Sequence, residues 1–420
     1  VVRISRVLGG LLYVILDGVG DRPNPELNGL TPLEAAYTPN LDRLACRSRL
    51  GRVRPAGRGI APESDMGALA MLGYRVPEEA VPRGVLEALG VGLEIKEGWL
   101  ALRANFATVD GRLITDRRAG RGLSEEEGKA LEKAINDGID LGDYTFRFLH
   151  TIGHRGVLVI HGPQPLSGEI TNTDPGYTRL GASTGSGPLT LLECRPLSNS
   201  EAALRAARLV NEFTAQALRV LRDHPVNRRR AAAGAKPANA ILLRDAGDGP
   251  PRIKPLPQKY GLRFACIATM PVERGLARAL GMEQVEVGEM DYPAKARMAA
   301  ELLGGWDVVY VHIKGPDEPA HEGRADLKTR VIERIDREFF GQLPLNLAEA
   351  TLLVTADHST PCTLRRHSDD PVPILLAGPR QVPDRLCRFT ERFCSKGSLK
   401  PAAGWDLLPH VLMAAGLIKP

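Results

Sequence analysis

The sequence has little lysine, no closely spaced cysteines of the Cys-x-x-Cys kind, no long apolar run and no internal repeat, and these scarcities narrow the class of protein. Lysine supplies only 12 of the 55 basic residues, which 50 acidic residues offset to a formal charge of +5 over 420 residues. So small a balance leaves no electrostatic footprint for nucleic acid. The six cysteines (Cys46, Cys194, Cys266, Cys362, Cys387 and Cys394) stand far apart with no Cys-x-x-Cys pair. That argues against a disulfide framework or a thiolate zinc site and makes a reducing cytoplasm the expected compartment. The longest apolar run, Val7–Leu16, falls short of the ~18 residues a transmembrane helix needs. It runs into Asp17-Gly18-Val19-Gly20 with no small-residue cleavage site, so it reads as a buried strand and not as a membrane span or signal peptide. Gly181–Gly187 is read as a flexible polar loop and no more.

What is present is an ordinary globular composition, 43% hydrophobic and 25% charged, long enough for two or three domains. The 44 glycines and 32 prolines call for many tight turns of the α/β kind. The 43 arginines offer planar forks that match carboxylate and phosphate, compatible with phosphorylated substrates, though an arginine-rich coding composition gives the same count and is the preferred explanation.

Short apolar runs at Leu11–Leu16, Val308–Ile313, Leu352–Ala356 and Ile374–Ala377 each end at a turn: Asp17, Lys314-Gly315-Pro316-Asp317, Asp357-His358 and Gly378-Pro379. They read as strands of a parallel sheet buried on both faces. Between them Leu327, Val331, Ile335 and Phe339 recur every four positions, an amphipathic helix that completes a right-handed strand-helix-strand unit. In such sheets ligands collect outside the carboxyl ends of the strands, where these acidic residues stand. The middle differs. Ala101–Val109 and Thr145–Ile160 alternate like antiparallel strands, followed by a helix over roughly Asn199–Arg222, a strand at Ala240–Leu243 and a Pro-rich segment, Gly249–Pro257. The predicted fold is α/β, a mostly parallel sheet flanked by helices over residues 1–76 and 257–420, with a smaller α+β domain inserted at 77–256.

The most specific chemical signal is Asp317-x-x-x-His321, Asp357-His358 and His367. Carboxylate with imidazole suits zinc, manganese or cobalt. Any one of these residues is an ordinary loop polar group; five at consecutive strand ends are not. Asp317 and His321 are expected on one loop, and the adjacent Asp357 and His358 are expected to diverge, serving one ion or bridging two. Asp17 is a natural further carboxylate. The second signal is Pro62-Glu63-Ser64-Asp65 ahead of Met66–Leu72, which places Ser64 at a helix N-terminus. Backbone N–H groups there attract anions, and a hydroxyl beside a dication can attack phosphorus. Taken alone the segment favours a plain N-cap serine.

Together Leu16-Asp17-Gly18, Ser64, Lys314-Gly315-Pro316-Asp317-Glu318-x-x-His321, Thr355-Ala356-Asp357-His358-Ser359-Thr360-Pro361 and His367 resemble the alkaline phosphatase superfamily. More narrowly they resemble the archaeal-type cofactor-independent phosphoglycerate mutases, and nearly the whole chain shares in this. Asn105–Gly111, Asp116-Arg117-Arg118-Ala119-Gly120-Arg121, Thr173-Asp174-Pro175, His224–Asn227, Leu242-Leu243-Arg244 and Lys259-Tyr260-Gly261 all match. The resemblance implies an alkaline-phosphatase-like sheet and interconversion of 3- and 2-phosphoglycerate, in glycolysis and gluconeogenesis, through a phosphoserine at Ser64. No bisphosphoglycerate takes part. It implies two divalent ions (Mn2+, Co2+ or Zn2+, with Mg2+ also admissible), one held by Asp17, Ser64, Asp357 and His358, the other by Asp317, His321 and His367. Pro316 and Pro319 stand where relatives often carry small residues, which stiffens the segment and leaves the ligand spacing intact. A mutase must also retain its glycerate: Asp116, Arg117, Arg121, Asp174, Arg230 and Arg244 are candidates to grip it, and Lys259 to reach the phosphate, while an inserted domain would exclude water. The partner is then a small phosphoglycerate, with neither nucleic acid nor membrane. The alternatives are a metal-dependent phosphomonoesterase, another sugar-phosphate mutase of the superfamily, or a catalytically silent metal-binding protein.

Overall fold

In the computed structural model, residues 9–176 and 189–419 are described; Gly181–Gly187 lies outside them. The chain divides into two units, residues 1–80 with 253–420, and residues 81–252.

Of the strands, β1 (Leu11–Leu16) and β2 (Ser48–Val53) come first in the first unit. The second unit holds β3 (Leu100–Asp110), β4 (Leu113–Asp116), β5 (Thr145–His150), β6 (Arg155–His161), β7 (Leu189–Thr190) and β8 (Ala240–Gly247). The chain then returns to the first unit with β9 (Phe264–Ile267), β10 (Glu283–Val285), β11 (Val308–Ile313), β12 (Thr351–Thr355) and β13 (Val372–Ala377).

The first unit is one seven-stranded sheet in the order β10-β9-β11-β1-β12-β13-β2. Strand β1 lies at its centre, parallel to β11 on one side and β12 on the other, with Leu16 beside Ile313 and Ile15 beside Thr355. All three strands are buried throughout, which is why they read as continuous apolar runs. Their carboxyl ends therefore emerge side by side, carrying Asp17, Lys314 and Asp357. The run at Ile374–Ala377 departs from expectation. Strand β13 is antiparallel to β12, and β2 is antiparallel to β13. A parallel return needs a crossover, usually a helix, whereas the 356–371 connection forms a loop at the same sheet end and brings the chain straight back.

The helix that carries the four-residue repeat, between β11 and β12, covers Ala325–Ile335 and continues as a π turn over Asp336–Phe340. The Asp336 carboxylate accepts the backbone N–H of Leu41 at 2.7 Å and of Asn40 at 3.2 Å, capping the helix Pro39–Ala45 that has no side-chain cap of its own. A second correction concerns cysteine. Cys46, at the end of that helix, is disulfide-bonded to Cys387, 341 residues away. Spacing along the chain carries no sign of such a pair.

In the second unit β3 is the hub, antiparallel to β6, β8 and β4. Leu102, Phe106, Leu158 and Leu243 on one face pack against Leu131 and Ile135 of the helix Glu125–Gly138 and Val210 and Phe213 of the helix Glu201–Arg222. No described helix in either unit is long and apolar enough to cross a membrane.

Candidate active site

The site is built at the carboxyl ends of β1, β11 and β12. The segment after β11 is a short helix, Asp317–Glu322, where a loop was expected. It sets Asp317 and His321 four apart on one face, and Pro319 sits in the first turn, where no backbone N–H is needed. Gly18 turns the chain after β1 at φ +60, and a side chain there would run into the Asp317 carboxylate. The helix Ser64–Met71 lies directly against the β12 end, because a Cβ on Gly67 would overlap the carbonyl of Asp357.

Seven residues form one continuous cluster. Ser64 is the first residue of its helix, and its Oγ lies 3.1 Å from His358 Nε2; the N-cap position belongs to Glu63. The plain N-cap role is thus set aside. His358 Nε2 is 3.3 Å from both Asp17 Oδ1 and Asp357 Oδ2, so the adjacent Asp357 and His358 converge instead of diverging. The His358 ring stacks on that of His367 at 3.8 Å. His367 Nε2 is 3.5 Å from Asp317 Oδ1 and 3.2 Å from His321 Nε2, which is itself 3.3 Å from Asp317 Oδ2.

Three buried or half-buried carboxylates so close together repel. Burial and then the charge of Asp17 push the Asp357 carboxyl up to about 7. Burial opposes ionisation of Asp17 too, but Lys314, followed by His312 and His358, holds it well below the usual carboxylate range. For Asp317, burial and the Asp17 charge are overcome by His321 and His367. Against the cost of burial, Asp317 raises His321 and pushes His367 up to about 10, while burial and the neighbouring His367 lower His358.

The donor set fits divalent cations. Asp17 Oδ1 and Asp357 Oδ2 are buried with no hydrogen-bond partner, which is costly unless a cation lies against them. Asp317, His321 and His367 each offer one atom within 4.8 Å of the others, and so do Asp17, Asp317 and His358. Thr360 ties the two sets together, donating to Asp317 Oδ1 at 2.7 Å and accepting from His358 Nδ1 at 2.9 Å.

Several residues that sequence reasoning missed support this cluster. Fully buried Lys328 donates to the carbonyls of Gly18, Gly20 and Thr360 and to Asp21, joining the loops after β1 and β12. Lys314 pairs with Asp17 at 2.9 Å and with buried Glu273 at 2.8 Å. His312 sits 3.5 Å from Asp357. A histidine inside the apolar run Val308–Ile313 was the available signal for it.

The substrate candidates are divided between the two units. Lys259 is in the first unit, donating to the carbonyl of Gly73 at 2.5 Å with its ammonium 4.0 Å from the Tyr74 ring centre; burial lowers its pKa. In the second unit Arg117 makes a two-pronged bond to fully buried Asp174 at 2.7 and 3.1 Å. Asp116 accepts the N–H of Arg118, and Arg121 stands in a left-handed turn at φ +59. Arg230 is occupied within its unit, donating to the carbonyls of Lys236, Gly122 and Ala119 and to Glu127. Arg244 lies directly across the β3–β8 ladder from Arg103, a second buried arginine that sequence reasoning passed over.

Comparison with known proteins gives one consistent answer. The family model described as 2,3-bisphosphoglycerate-independent phosphoglycerate mutase matches residues 45–227. A protein of that name from Aeropyrum pernix is 44% identical over 96% of this chain and 98% of its own length. Two solved structures are similar along nearly their whole length. The PH0037 protein from Pyrococcus horikoshii has a TM-score of 0.81 at 32% identity, with 99% of each chain covered. The cofactor-independent phosphoglycerate mutase from Thermoplasma acidophilum has a TM-score of 0.66 at 33% identity, covering 97% of this chain and 100% of that one.

Proposed function

This chain belongs to the 2,3-bisphosphoglycerate-independent phosphoglycerate mutases, and on that premise we propose that Ser64 is the group that carries the phosphoryl between the two hydroxyls of glycerate. The enzyme is an isomerase that interconverts 3-phosphoglycerate and 2-phosphoglycerate. The observation that carries the assignment is the placing of Ser64 Oγ, 3.1 Å from His358 Nε2 at the start of a helix.

Asp17, Ser64, Asp357 and His358 would hold one divalent ion, and Asp317, His321 and His367 a second; manganese, cobalt or zinc suits these donors, with magnesium also admissible. When bound, the ions supply positive charge that lowers the pKa of the serine hydroxyl and neutralises phosphoryl oxygens. The chain does the rest. The Ser64 oxygen gives up its proton and forms its bond to phosphorus as the bond from phosphorus to the C3 oxygen breaks, and the C3 oxygen takes up a proton. The glycerate turns, its C2 hydroxyl gives up a proton and attacks phosphorus as the bond to the Ser64 oxygen breaks, and the Ser64 oxygen takes up a proton, which restores the hydroxyl. The positive end of the Ser64 helix dipole favours the anionic oxygens, and Lys259 contributes a further cation. Asp116, Arg117, Arg121, Asp174 and Arg244 hold the glycerate through the turn. Arg230, its donors engaged, shapes the 119–127 segment that carries Arg121. A phosphomonoesterase is not favoured, since the relatives at up to 44% identity carry the mutase name.

The test is to quench the manganese-loaded enzyme in acid during turnover of 3-phosphoglycerate and map the phosphopeptide by mass spectrometry. Phosphate on Ser64 is the expected result; phosphate on another residue, with Ser64 unmodified, would sink the assignment.

A further inference from the structure

We propose that the ammonium of Lys314 stands in the place of a third cation, filling a compartment that Asp17, Glu273 and His312 would otherwise offer to a divalent ion. This rests on the two-ion reading above and extends it.

Asp17 presents two faces. Its Oδ1 points to His358 and the proposed ion site, at 3.3 Å. Its Oδ2 receives Lys314 at 2.9 Å. On that second side the same ammonium lies 2.8 Å from Oε1 of Glu273, a buried carboxylate outside the proposed ligand set. The other Glu273 oxygen reaches back to the start of its own helix, Pro271–Ala279, accepting the N–H groups of Thr269 and Met270. His312 completes the surround. Its Nδ1 is 3.6 Å from Glu273 Oε1, and its Nε2 faces Asp357 Oδ2 at 3.5 Å and Asp17 Oδ1 at 3.9 Å. That Nε2 belongs to a side chain 1% exposed and has no hydrogen-bond partner.

The carboxylates of Asp17 and Glu273, both in contact with the one ammonium, and the imidazole of His312 at 3.6 Å from Glu273 are donors of the kind a divalent ion takes; Asp17 and His312 also form a close group with Asp357, of the proposed ligand set. Lys295, the other buried ammonium nearby, donates to the backbone carbonyl of His312 at 3.3 Å and leaves the two carboxylates to Lys314. An ammonium fixed to β11 does not exchange with solution, and it brings no coordinated water of the kind a bound dication can acidify. It thus neutralises the back of Asp17 without adding a second source of hydroxide to a site that must avoid hydrolysis.

The test uses the full chain loaded with excess Mn2+, counted by elemental analysis after desalting and located by anomalous diffraction. Lys314→Ser is expected to hold one more manganese per chain than wild type, placed between Asp17, Glu273 and His312, and the double variant Lys314→Ser, Glu273→Gln to return to the wild-type count. A folded Lys314→Ser chain that gains no manganese overturns the inference, whatever the wild-type count. Should that variant fail to fold, the wild-type crystal decides: a manganese beside His312 overturns the inference, and its absence there at saturating Mn2+ with Lys314 in contact with both carboxylates supports it. A wild-type count below two strikes at the two-ion reading instead, so the two failures are distinct.

Discussion

The Nε2 atoms of His321 and His367 lie 3.2 Å apart, while each ring turns its Nδ1 to a backbone carbonyl, of Arg365 at 3.1 Å and Pro62 at 2.8 Å. A carbonyl only accepts, so both Nδ1 atoms carry hydrogen and both Nε2 lone pairs face one another and Asp317. Such a geometry needs a proton or a metal ion between the rings. With His367 pushed up to about 10, the metal-free protein carries that proton at pH 7. Loading with manganese at pH 7 is therefore expected to release roughly one to two protons per chain, and affinity is expected to fall as pH drops. Calorimetric titration in two buffers of different ionisation enthalpy measures the number; no release would contradict the arrangement.

Thr360 links the two ligand sets through Asp317 and His358. Thr360→Val keeps the shape and removes both hydrogen bonds. Outer-sphere losses of this kind cost roughly 10–100-fold in metal affinity or activity. The expected pattern is that added manganese restores much of the lost turnover, as read by a metal titration of the coupled mutase assay.

Ser64→Ala is expected to abolish mutase turnover while costing only about 1 kcal/mol of stability, the worth of one hydrogen bond. Denaturation and the coupled assay together check this. Activity above a few per cent of wild type would remove Ser64 from its role.

The arginines of the second unit divide into two predicted classes. Arg117→Ala and Arg244→Ala are expected to raise the ratio of free phosphate to isomerised product by roughly tenfold to a hundredfold, the worth of a charged hydrogen bond. Arg230→Ala strips donors from three carbonyls and Glu127, so its main effect is expected on stability, about 3 kcal/mol. Measuring both products and the melting temperature for each variant separates the classes. Parallel loss of both activities in Arg117→Ala would assign that arginine to phosphoryl transfer itself.

Glu391 provides a pH handle away from the site. Its carboxylate accepts from the backbone N–H of Asp21 and the hydroxyl of Thr31, and burial, reinforced by the charge of Asp21, pushes it up to about 7 from an ordinary 4.5. The folded state holds this proton more tightly than the unfolded state. Its contribution is therefore greatest below pH 4.5 and is lost as pH rises to 7. Glu391→Gln imitates the protonated form, and is expected to be more stable than wild type at pH 8 by about 2 kcal/mol after allowing for partial exposure. At pH 4 the difference is expected to vanish. Urea denaturation at the two pH values checks it.

How much of this was legible in the sequence depends on distance along the chain. The motif Asp317-x-x-x-His321 carries its own geometry, because residues four apart share a helix face and the short helix after β11 realises it. The apolar runs ending at Asp17, Lys314 and Asp357 are legible for the same reason: burial on both faces demands continuous hydrophobicity, and a turn must follow. The antiparallel middle is equally local, since alternation in β3 and β6 records one face against two helices.

What only the tertiary structure decided is which distant residues meet. Ser64 faces His358 across 294 residues because the sheet order sets the end of β12 beside the Ser64 helix and Gly67 lets the two backbones touch. Lys328 sits on a helix whose repeat marks only Leu327, Val331, Ile335 and Phe339, yet its ammonium is buried under the loop after β1. Arg230 looks like any member of an exposed basic run until its carbonyl partners are in place, and Cys46 finds Cys387 only through the fold. The antiparallel sense of β13 follows from where its loop returns and not from its composition. Periodicity and motif spacing report the nearest few residues, which local backbone geometry holds together. Contacts between remote segments depend on strand order and register, and a single sequence read by its local patterns carries no term for either.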